Sequence, residues 1–363
     1  MSEINITKEN RHGYTKCSFV CPECKTVLEL LDAGYHCIKC KINYPVLDNI
    51  PIFSEIGNYY GEVKHSQMTA ILENAKTLGY QQALKSHINN SFVYKYAIDE
   101  SRAKWIEIIP HDKNTRFLDV GCGWGTNTIP ISYQVKEIVA LDATYERVKF
   151  VDIRSEQENL HNVVPVLGSA IKLPFPNESF DVVAFNGVLE WLGMINFEID
   201  PMTIQTQAIR EAYRVLKTDG KIYIGIENRY SLRYFLGDHD DHSFMRFTSL
   251  MPRRLADFYC QIRTGKKYYT YTHSLSDYKK ILYTSGFDNI LTYLPWPDYR
   301  NPTTIIPLEC EKIIELINSR LKERDSISFR QYLYLNLLKL LTKIEKKGSL
   351  IHSFCFVGEK KNL

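Results

Sequence analysis

No apolar run in this chain of 363 residues approaches the roughly 18 residues that a membrane-spanning helix requires. Its start, MSEINITKEN, is polar and holds no signal-peptide apolar core, so the sequence places the protein in the cytoplasm. An excess of charge of either sign is also lacking. With 45 basic and 42 acidic residues the formal charge is +3, too balanced to argue for a nucleic-acid partner, although a local basic face is compatible with it. There is no internal repeat and no low-complexity segment. A disulfide framework is not indicated either: of nine cysteines, four fall in paired C-x-x-C spacing and the others are scattered, which fits metal ligation in a reducing compartment better. What remains is an ordinary globular composition, 44% hydrophobic and 24% charged, on a chain long enough for more than one average domain.

Residues 15–53 form a short module dense in Cys, Tyr and Pro. Residues 54–90 are polar and mixed and read as a connector with helical pieces. From about 91 the pattern alternates between β-rich runs and amphipathic stretches, as in a parallel α/β sheet. RFLDVG, EIVALD, VVPVLG, FDVVAFN and KIYIGIE are strand candidates, each short, apolar and bounded by turn residues. ERVKFVDIRSEQENL and TQAIREAYRVLK have helical spacing between them, and residues 308–347 read as helical throughout. HSFCFVGEK returns to a strand pattern, so a helical insertion precedes the last strand.

Cys21-Pro22-Glu23-Cys24 and Cys37-Ile38-Lys39-Cys40 are two knuckles 12 residues apart. Four thiolates at this spacing can converge tetrahedrally on one zinc, and a module of this size needs the metal for its folding energy. Cys17 is set aside as a bystander. With the following Tyr44-Pro45-Val46-Leu47-Asp48-Asn49-Ile50-Pro51-Ile52-Phe53, the knuckles resemble the Trm112-like zinc-ribbon family. That resemblance implies a structural or substrate-presenting accessory, with four Cys ligands leaving no open position for a catalytic zinc.

Leu118-Asp119-Val120-Gly121-Cys122-Gly123-Trp124-Gly125-Thr126 follows a strand and opens a helix. Its spacing is G-x-G-x-G, not the G-x-G-x-x-G of dinucleotide enzymes, and Asp119 two residues ahead would sit badly beside a pyrophosphate. It suits a ligand bearing an ammonium group and a sulfonium. Asp142 ends the next strand, where a carboxylate can accept both ribose hydroxyls. With the blocks Gly168 to Phe175, Phe180 to Trp191 and Tyr213 to Lys221, this order resembles the class I S-adenosylmethionine-dependent methyltransferases over about 200 residues. The resemblance implies a Rossmann-like sheet of seven strands with the last pair antiparallel, and a methyltransferase domain over 91–363. By the same resemblance Asp119, Gly121, Cys122, Gly123 and Gly125 surround the methionine half of the cofactor. Asp142 and Ala143 hold the ribose and flank adenine, Ser169 and Ala170 meet the adenine, and the Asn186 backbone faces the methionine amine. Ser169 stands where many relatives carry Asp, which weakens the adenine assignment.

Acceptors reach this fold over the ends of the fourth and fifth strands, so Glu190, Trp191, Glu227, Asn228 and Arg229 are expected neighbours. No N-P-P-Y follows the fourth strand, which disfavours adenine-N6 and glutamine amide methylation. Residues 230–273 are long for a connection and rich in His, Arg and Tyr, which suggests an acceptor cap with Glu227, His239, His242, Arg253 and Tyr271 in its polar lining. Glu190, Glu227, His239 and His242 are the candidate acid–base residues. His239, Asp240 and His242 read either as a second metal site or as loop polar groups. Arg253 and Arg254 read either as an anion clamp or as a charged helix turn. The apolar residues of 332–341 suit packing or a subunit contact, with a membrane surface as the alternative. The expected function is methyl transfer to oxygen or nitrogen of a small-molecule or glycan-linked acceptor. An RNA base methyltransferase gripping RNA with the ribbon is the alternative, disfavoured by the balanced charge, and a catalytically silent scaffold is a third reading. The oligomeric state and the acceptor's identity stay open.

Overall fold

The computed structural model describes residues 18–32, 34–57, 59–323, 327–345 and 348–361. Cys17 and the first residues expected in the ribbon lie outside these. Two compact units divide the chain. The first holds residues 1–103, 110–183 and 214–217, and the second holds 104–109, 184–213 and 218–363. The segment expected as one methyltransferase domain, 91–363, is therefore shared between them.

In the first unit β1 (Glu29–Leu31), β2 (Gly34–Cys37), β3 (Ile42–Leu47) and β4 (Ile50–Pro51) form a four-stranded antiparallel sheet in that order. Gly34 allows it: at φ 135° a Cβ would stand 2.3 Å from the Tyr44 carbonyl oxygen. Phe19, Tyr35, Tyr44 and Phe53 stack beneath the strands, with Phe53 ring centroids 4.9, 5.9 and 5.3 Å from the other three. This small core is not closed on itself. Phe19 also meets Phe175 at 5.8 Å, Phe175 meets Phe180, and the Phe53 amide donates to the Leu167 carbonyl at 2.8 Å. Ile52 bridges Leu167 in parallel, and the Val20 amide donates to the Pro174 carbonyl. The ribbon thus adds backbone hydrogen bonds and apolar area to the α/β part of its own unit, as a module too small for an independent core must.

The stretch expected as a connector folds into α1 (His65–Leu78) and α2 (Tyr80–His87), followed by α3 (Ser91–Ile98). The Asn90 side chain caps α3 by accepting from the Phe92 and Val93 amides. These helices are more than a tether. Met68, Ile71, Ala75, Ala83 and Leu84 are fully buried and share a core with Trp124, Phe150 and Ile153. The unit continues with β5 (Arg116–Val120), α4 (Thr128–Ser132), β6 (Glu137–Asp142), α5 (Tyr145–Gln157) and β7 (Val163–Leu167). β5, β6 and β7 run parallel, with Leu118 opposite Val139 and Val139 opposite Val164. Their unbroken apolar runs are what burial on both faces of a parallel sheet demands. β8 (Phe180–Asn186) begins in this unit and ends in the second.

After α6 (Pro201–Val215) and β9 (Leu216–Glu227), the second unit holds α7 (Leu232–Phe235), α8 (Arg253–Thr264), α9 (Leu275–Thr284), β10 (Phe287–Trp296), β11 (Thr304–Pro307), α10 (Cys310–Lys322), α11 (Phe329–Glu345) and β12 (Ser353–Lys360). Its strands run in the order β11-β10-β12-β9, every pair antiparallel. The last strand is antiparallel as expected, and the helical insertion α10–α11 precedes it. One strand exceeds the expected seven: β11, a four-residue edge strand ending in Pro307, where a missing amide does no harm. Trp105 stacks on Tyr223 at 3.7 Å within this core. The chain has a Rossmann-like α/β fold with parallel strands in one unit and antiparallel strands in the other. Among the described residues no helix is long and apolar enough to cross a membrane.

Candidate active site

Three polar groupings stand out, two in the first unit and one in the second. The first is the thiol cluster. Cys21, Cys24, Cys37 and Cys40 place their sulfurs within 4.8 Å of one another, with Cys24 and Cys37 at 3.5 Å. Sulfurs at the corners of a tetrahedron around zinc, with bonds of about 2.3 Å, lie roughly 3.8 Å apart. Each knuckle closes the same way. The Lys25 amide returns to the Cys21 carbonyl and the Lys41 amide to the Cys37 carbonyl, both at 2.8 Å, with Lys25 and Lys41 at φ 59° and 57°. Such turns aim both thiols of a pair to one side. The Cys40 amide lies 3.3 Å from the Cys37 sulfur, and the buried Tyr44 hydroxyl lies 3.3 Å from the Cys21 sulfur. The donor set and its spacing fit a structural zinc.

The second grouping is the glycine loop between β5 and α4. Gly121, Gly123 and Gly125 have φ of 75°, 53° and 74°, a backbone that side chains rarely adopt. The Gly121 and Cys122 amides donate to the Leu141 carbonyl, which ties the loop to the end of β6. Asp142 stands at that end and accepts from the Gly123 amide at 3.0 Å and from the Thr144 amide at 2.9 Å. Asp119 is buried, accepts from the Thr128 hydroxyl at 2.6 Å, and is pushed up to about 6 by its burial. Cys122 is a buried thiol whose burial keeps it neutral. Ala143 is exposed after Asp142, Ser169 is half-buried and Ala170 buried after β7. The open backbone at Gly123, where a Cβ would meet nothing nearer than 4.0 Å, leaves room for close approach of a ligand. In the second unit Asn186 is buried at the end of β8, its side chain lying over Gly225, where a Cβ would stand 2.3 Å from its Oδ1.

The third grouping, wholly in the second unit, is a buried acidic pocket. Glu190 sits on the 3-10 turn Leu189–Met194, Glu227 ends β9, and His242 comes from the segment between α7 and α8. One ligand atom of each lies within 4.8 Å of the others. Both glutamates are 1% exposed, and Glu190 Oε2, Glu227 Oε2 and His242 Nε2 have no hydrogen-bond partner among the described residues. Three buried polar atoms without a hydrogen bond in one place mark a site, because an interior seldom tolerates them. Tyr299 donates its hydroxyl to Glu227 at 2.8 Å and lies 3.5 Å from Glu190. Gly187 makes room for that ring: its Cβ would stand 2.9 Å from the Tyr299 oxygen. Arg300 stands 3.5 Å from Glu227 and 2.9 Å from Asp241. His242 is 3.7 Å from Glu227, an ion pair longer than a hydrogen bond, and Trp191 packs its ring edge-on at 5.0 Å.

These neighbours push the two carboxylates apart. Burial and the charge of Glu227 hold Glu190 well above the ordinary carboxylate range. Burial acts the same way on Glu227, but the charges of His242 and Arg300 prevail and hold it low. Burial disfavours a charged His242, yet Glu227 outweighs it and raises the imidazole to about 9. Acid and base roles separate in this way when two titratable groups share a site.

The structure gathers Glu190, Glu227, His242 and Trp191. It does not bring His239 to them: His239 pairs with Arg246 in a β-bridge, and Asp240 binds the His242 and Ser243 amides and the Tyr268 hydroxyl. The grouping of His239, Asp240 and His242 as one metal site therefore fails. Three expected acceptor contacts are held on backbone. Asn228 donates to the Ser349 and Ile351 carbonyls, and Arg229 to those of Ser249 and Met251. Arg253 donates to Thr270 and Tyr268, and Tyr271 carries the amide that binds the Glu190 carbonyl at 2.8 Å. The side chains of Asn228, Arg229 and Arg253 each spend two donors on backbone carbonyls. The sequence reading missed Tyr299 and Arg300. They lie in an irregular loop after β10, and the only signal was a Tyr-Arg pair with no motif around it.

Residues 118–224 match the family described as methyltransferase domain. The chain is 31% identical over 109 residues to "Uncharacterized methyltransferase YcgJ" of Bacillus subtilis, covering 30% of this chain and 39% of that one. It is 30% identical over 124 residues to a demethylmenaquinone methyltransferase of Listeria welshimeri, covering 33% and 48%. The chain thus spans less than half the length of either relative. Among solved structures, that of YcgJ aligns with a TM-score of 0.41 at 17% identity, covering 73% of this chain and all of the other.

Proposed function

We propose that this chain is an S-adenosylmethionine-dependent methyltransferase acting on a hydroxyl or amine of a small-molecule or glycan-linked acceptor, with a structural zinc in its ribbon. The observation that carries the reading is the loop of three left-handed glycines tied to Asp142 and preceded by buried Asp119, inside the stretch that matches the methyltransferase domain. Asp142 would hold the ribose hydroxyls, and Asp119 the methionine end. Bound S-adenosylmethionine supplies an electrophilic methyl on a sulfonium. The second unit supplies what an acceptor needs. Glu190 would take the acceptor's proton, and Tyr299 and Glu227 would hold the acceptor by hydrogen bonds. Arg300 and His242 balance the charge of Glu227, so Glu190 is the carboxylate free to change state. The guanidinium 3.5 Å from Glu227 also disfavours a divalent ion between the glutamates. Calorimetry with S-adenosylmethionine, followed by transfer of a labelled methyl into fractions of a cell extract, tests the reading. Saturable cofactor binding with label in a small-molecule fraction is expected. Failure to bind cofactor overturns it, and label in RNA moves the acceptor to the other class.

A further inference from the structure

α10 packs against α11 and β11, and a space remains beside these helices. A cavity of about 620 Å³ remains, walled by Leu294, Trp296, Ile313, Ile317, Leu337 and Leu338. The cavity opens to the surface, and its volume is that of sites for small molecules, which run from about 300 to 1,000 Å³. The walls are mixed. Most of the lining is apolar, but Arg233, Asp238, Arg330, Gln331 and His352 also line it. Arg233 Nε and His352 Nδ1 are buried without a hydrogen-bond partner among the described residues. Burial first, then the charge of Arg233, holds His352 down to about 4, so the ring there is a neutral hydrogen-bonding group. At the rim Leu236 and Leu333 are about half exposed, at 48% and 52%, and Arg330 pairs with Asp238. The polar lining leads to the acidic pocket through shared partners: Arg233 binds Asp241, Asp241 binds Arg300, and Arg300 reaches Glu227.

We propose that this cavity takes the hydrocarbon chain of an amphiphilic ligand, whose polar head hydrogen-bonds to Arg233 and His352. A largely apolar slot that also holds two buried polar atoms without a hydrogen-bond partner is complementary to a molecule that joins a hydrocarbon chain to a polar head. Neither a fully polar ligand nor a bare hydrocarbon would satisfy both parts. Only the identification of this ligand with the methyl acceptor rests on the reading above; its binding does not.

The test is calorimetric titration of the full chain with hexyl, octyl and decyl glucoside, each below its micelle-forming concentration. One-site binding is expected, tightening about fourfold per added methylene until the slot is full. Leu337→Trp, which fills the slot, should weaken octyl glucoside by at least about tenfold, the loss of two or more buried methylenes. Leu333→Glu, at the half-exposed rim and so tolerant of change, should weaken it too and gives a second reading should the first variant not fold. Affinity independent of chain length, uptake only above the micelle-forming concentration, or unchanged binding in Leu333→Glu and a folded Leu337→Trp overturns the proposal. S-adenosylmethionine titrated into the same samples separates the two readings. Glucoside binding without cofactor binding sinks methyl transfer and leaves the slot, and the reverse result sinks the slot alone.

Discussion

The four thiols of the ribbon and the two glutamates of the second unit pose the same problem, several polar atoms of like kind gathered within 4.8 Å of one another. They are answered by different means. The thiols come from two short turns of one module, and each turn is closed by its own backbone hydrogen bond. On the proposed reading a zinc ion would supply their countercharge. The glutamates come from a 3-10 turn and a strand end, and their countercharges, His242 and Arg300, come from two further loops. There the protein supplies the positive charge itself, and the result is a carboxylate held high beside one held low. On the proposed reading the first would be a structural site, complete when its metal is bound, and the second a chemical one, with one group poised between two protonation states.

Removing the countercharge or its ligands probes this contrast at its extremes. Cys37→Ser together with Cys40→Ser should have the largest effect. Structural zinc contributes about 10–16 kcal/mol in small zinc modules, and this ribbon shares a core with Phe175 and Phe180, so the whole first unit should lose stability. Metal analysis should fall from one zinc per chain to none, and thermal unfolding should shift sharply downward; a double variant that keeps full zinc and full stability would show the thiols to be inert. Glu190→Gln comes next. It should lower turnover by about 10²–10⁴, the scale of a lost acid–base group, and leave cofactor affinity as it was. It should also remove the rise of rate with pH through the elevated range where Glu190 ionises. An unchanged pH profile would assign the base elsewhere.

A smaller effect is expected from Asp142→Ala, which should weaken S-adenosylmethionine by about 1–3 kcal/mol, since it leaves ribose hydroxyls unpaired; calorimetry reads it, and unchanged affinity means the pocket is misplaced. The finest test is of pH and stability. His242 is raised from 6.5 to about 9, so its pair with Glu227 stabilises the folded chain fully below about pH 6.5, and this stability is lost as pH rises through about 9. The loss should be about 1–3 kcal/mol at these shifts, and His242→Gln should flatten that part of the denaturation profile. Equal pH dependence in both proteins would mean that His242 is neutral in the fold.

How much was legible follows the same division. The strands from Arg116 to Leu167 were readable because a parallel strand buried on both faces writes itself as a continuous apolar run. The helices α10 and α11 were readable from their period, but the slot beside them was not, because periodicity tells which faces are apolar and not how closely two faces fit. Residues 54–90 looked like a connector because their polar residues outnumber the few, Met68, Ile71, Ala75 and Leu84, that carry the packing. Arg229, Asn228 and Arg253 were read as ligand contacts because a polar side chain near a site looks the same in sequence whether it faces a ligand or a carbonyl.

Sequence alone determined the features whose physics is local. The thiol knuckles, the left-handed glycine turns and the aspartates at the ends of β5 and β6 are set by residues a few positions apart, where backbone geometry leaves little choice. Tertiary structure decided which of the polar residues of the second unit meet. Glu190, Glu227, His242, Tyr299 and Arg300 are spread over 111 positions of the chain. Only the packing of β9, the segment between α7 and α8 and the loop after β10 sets them within reach of one another, and their ionisation follows from burial and mutual charge, which no single stretch of sequence contains.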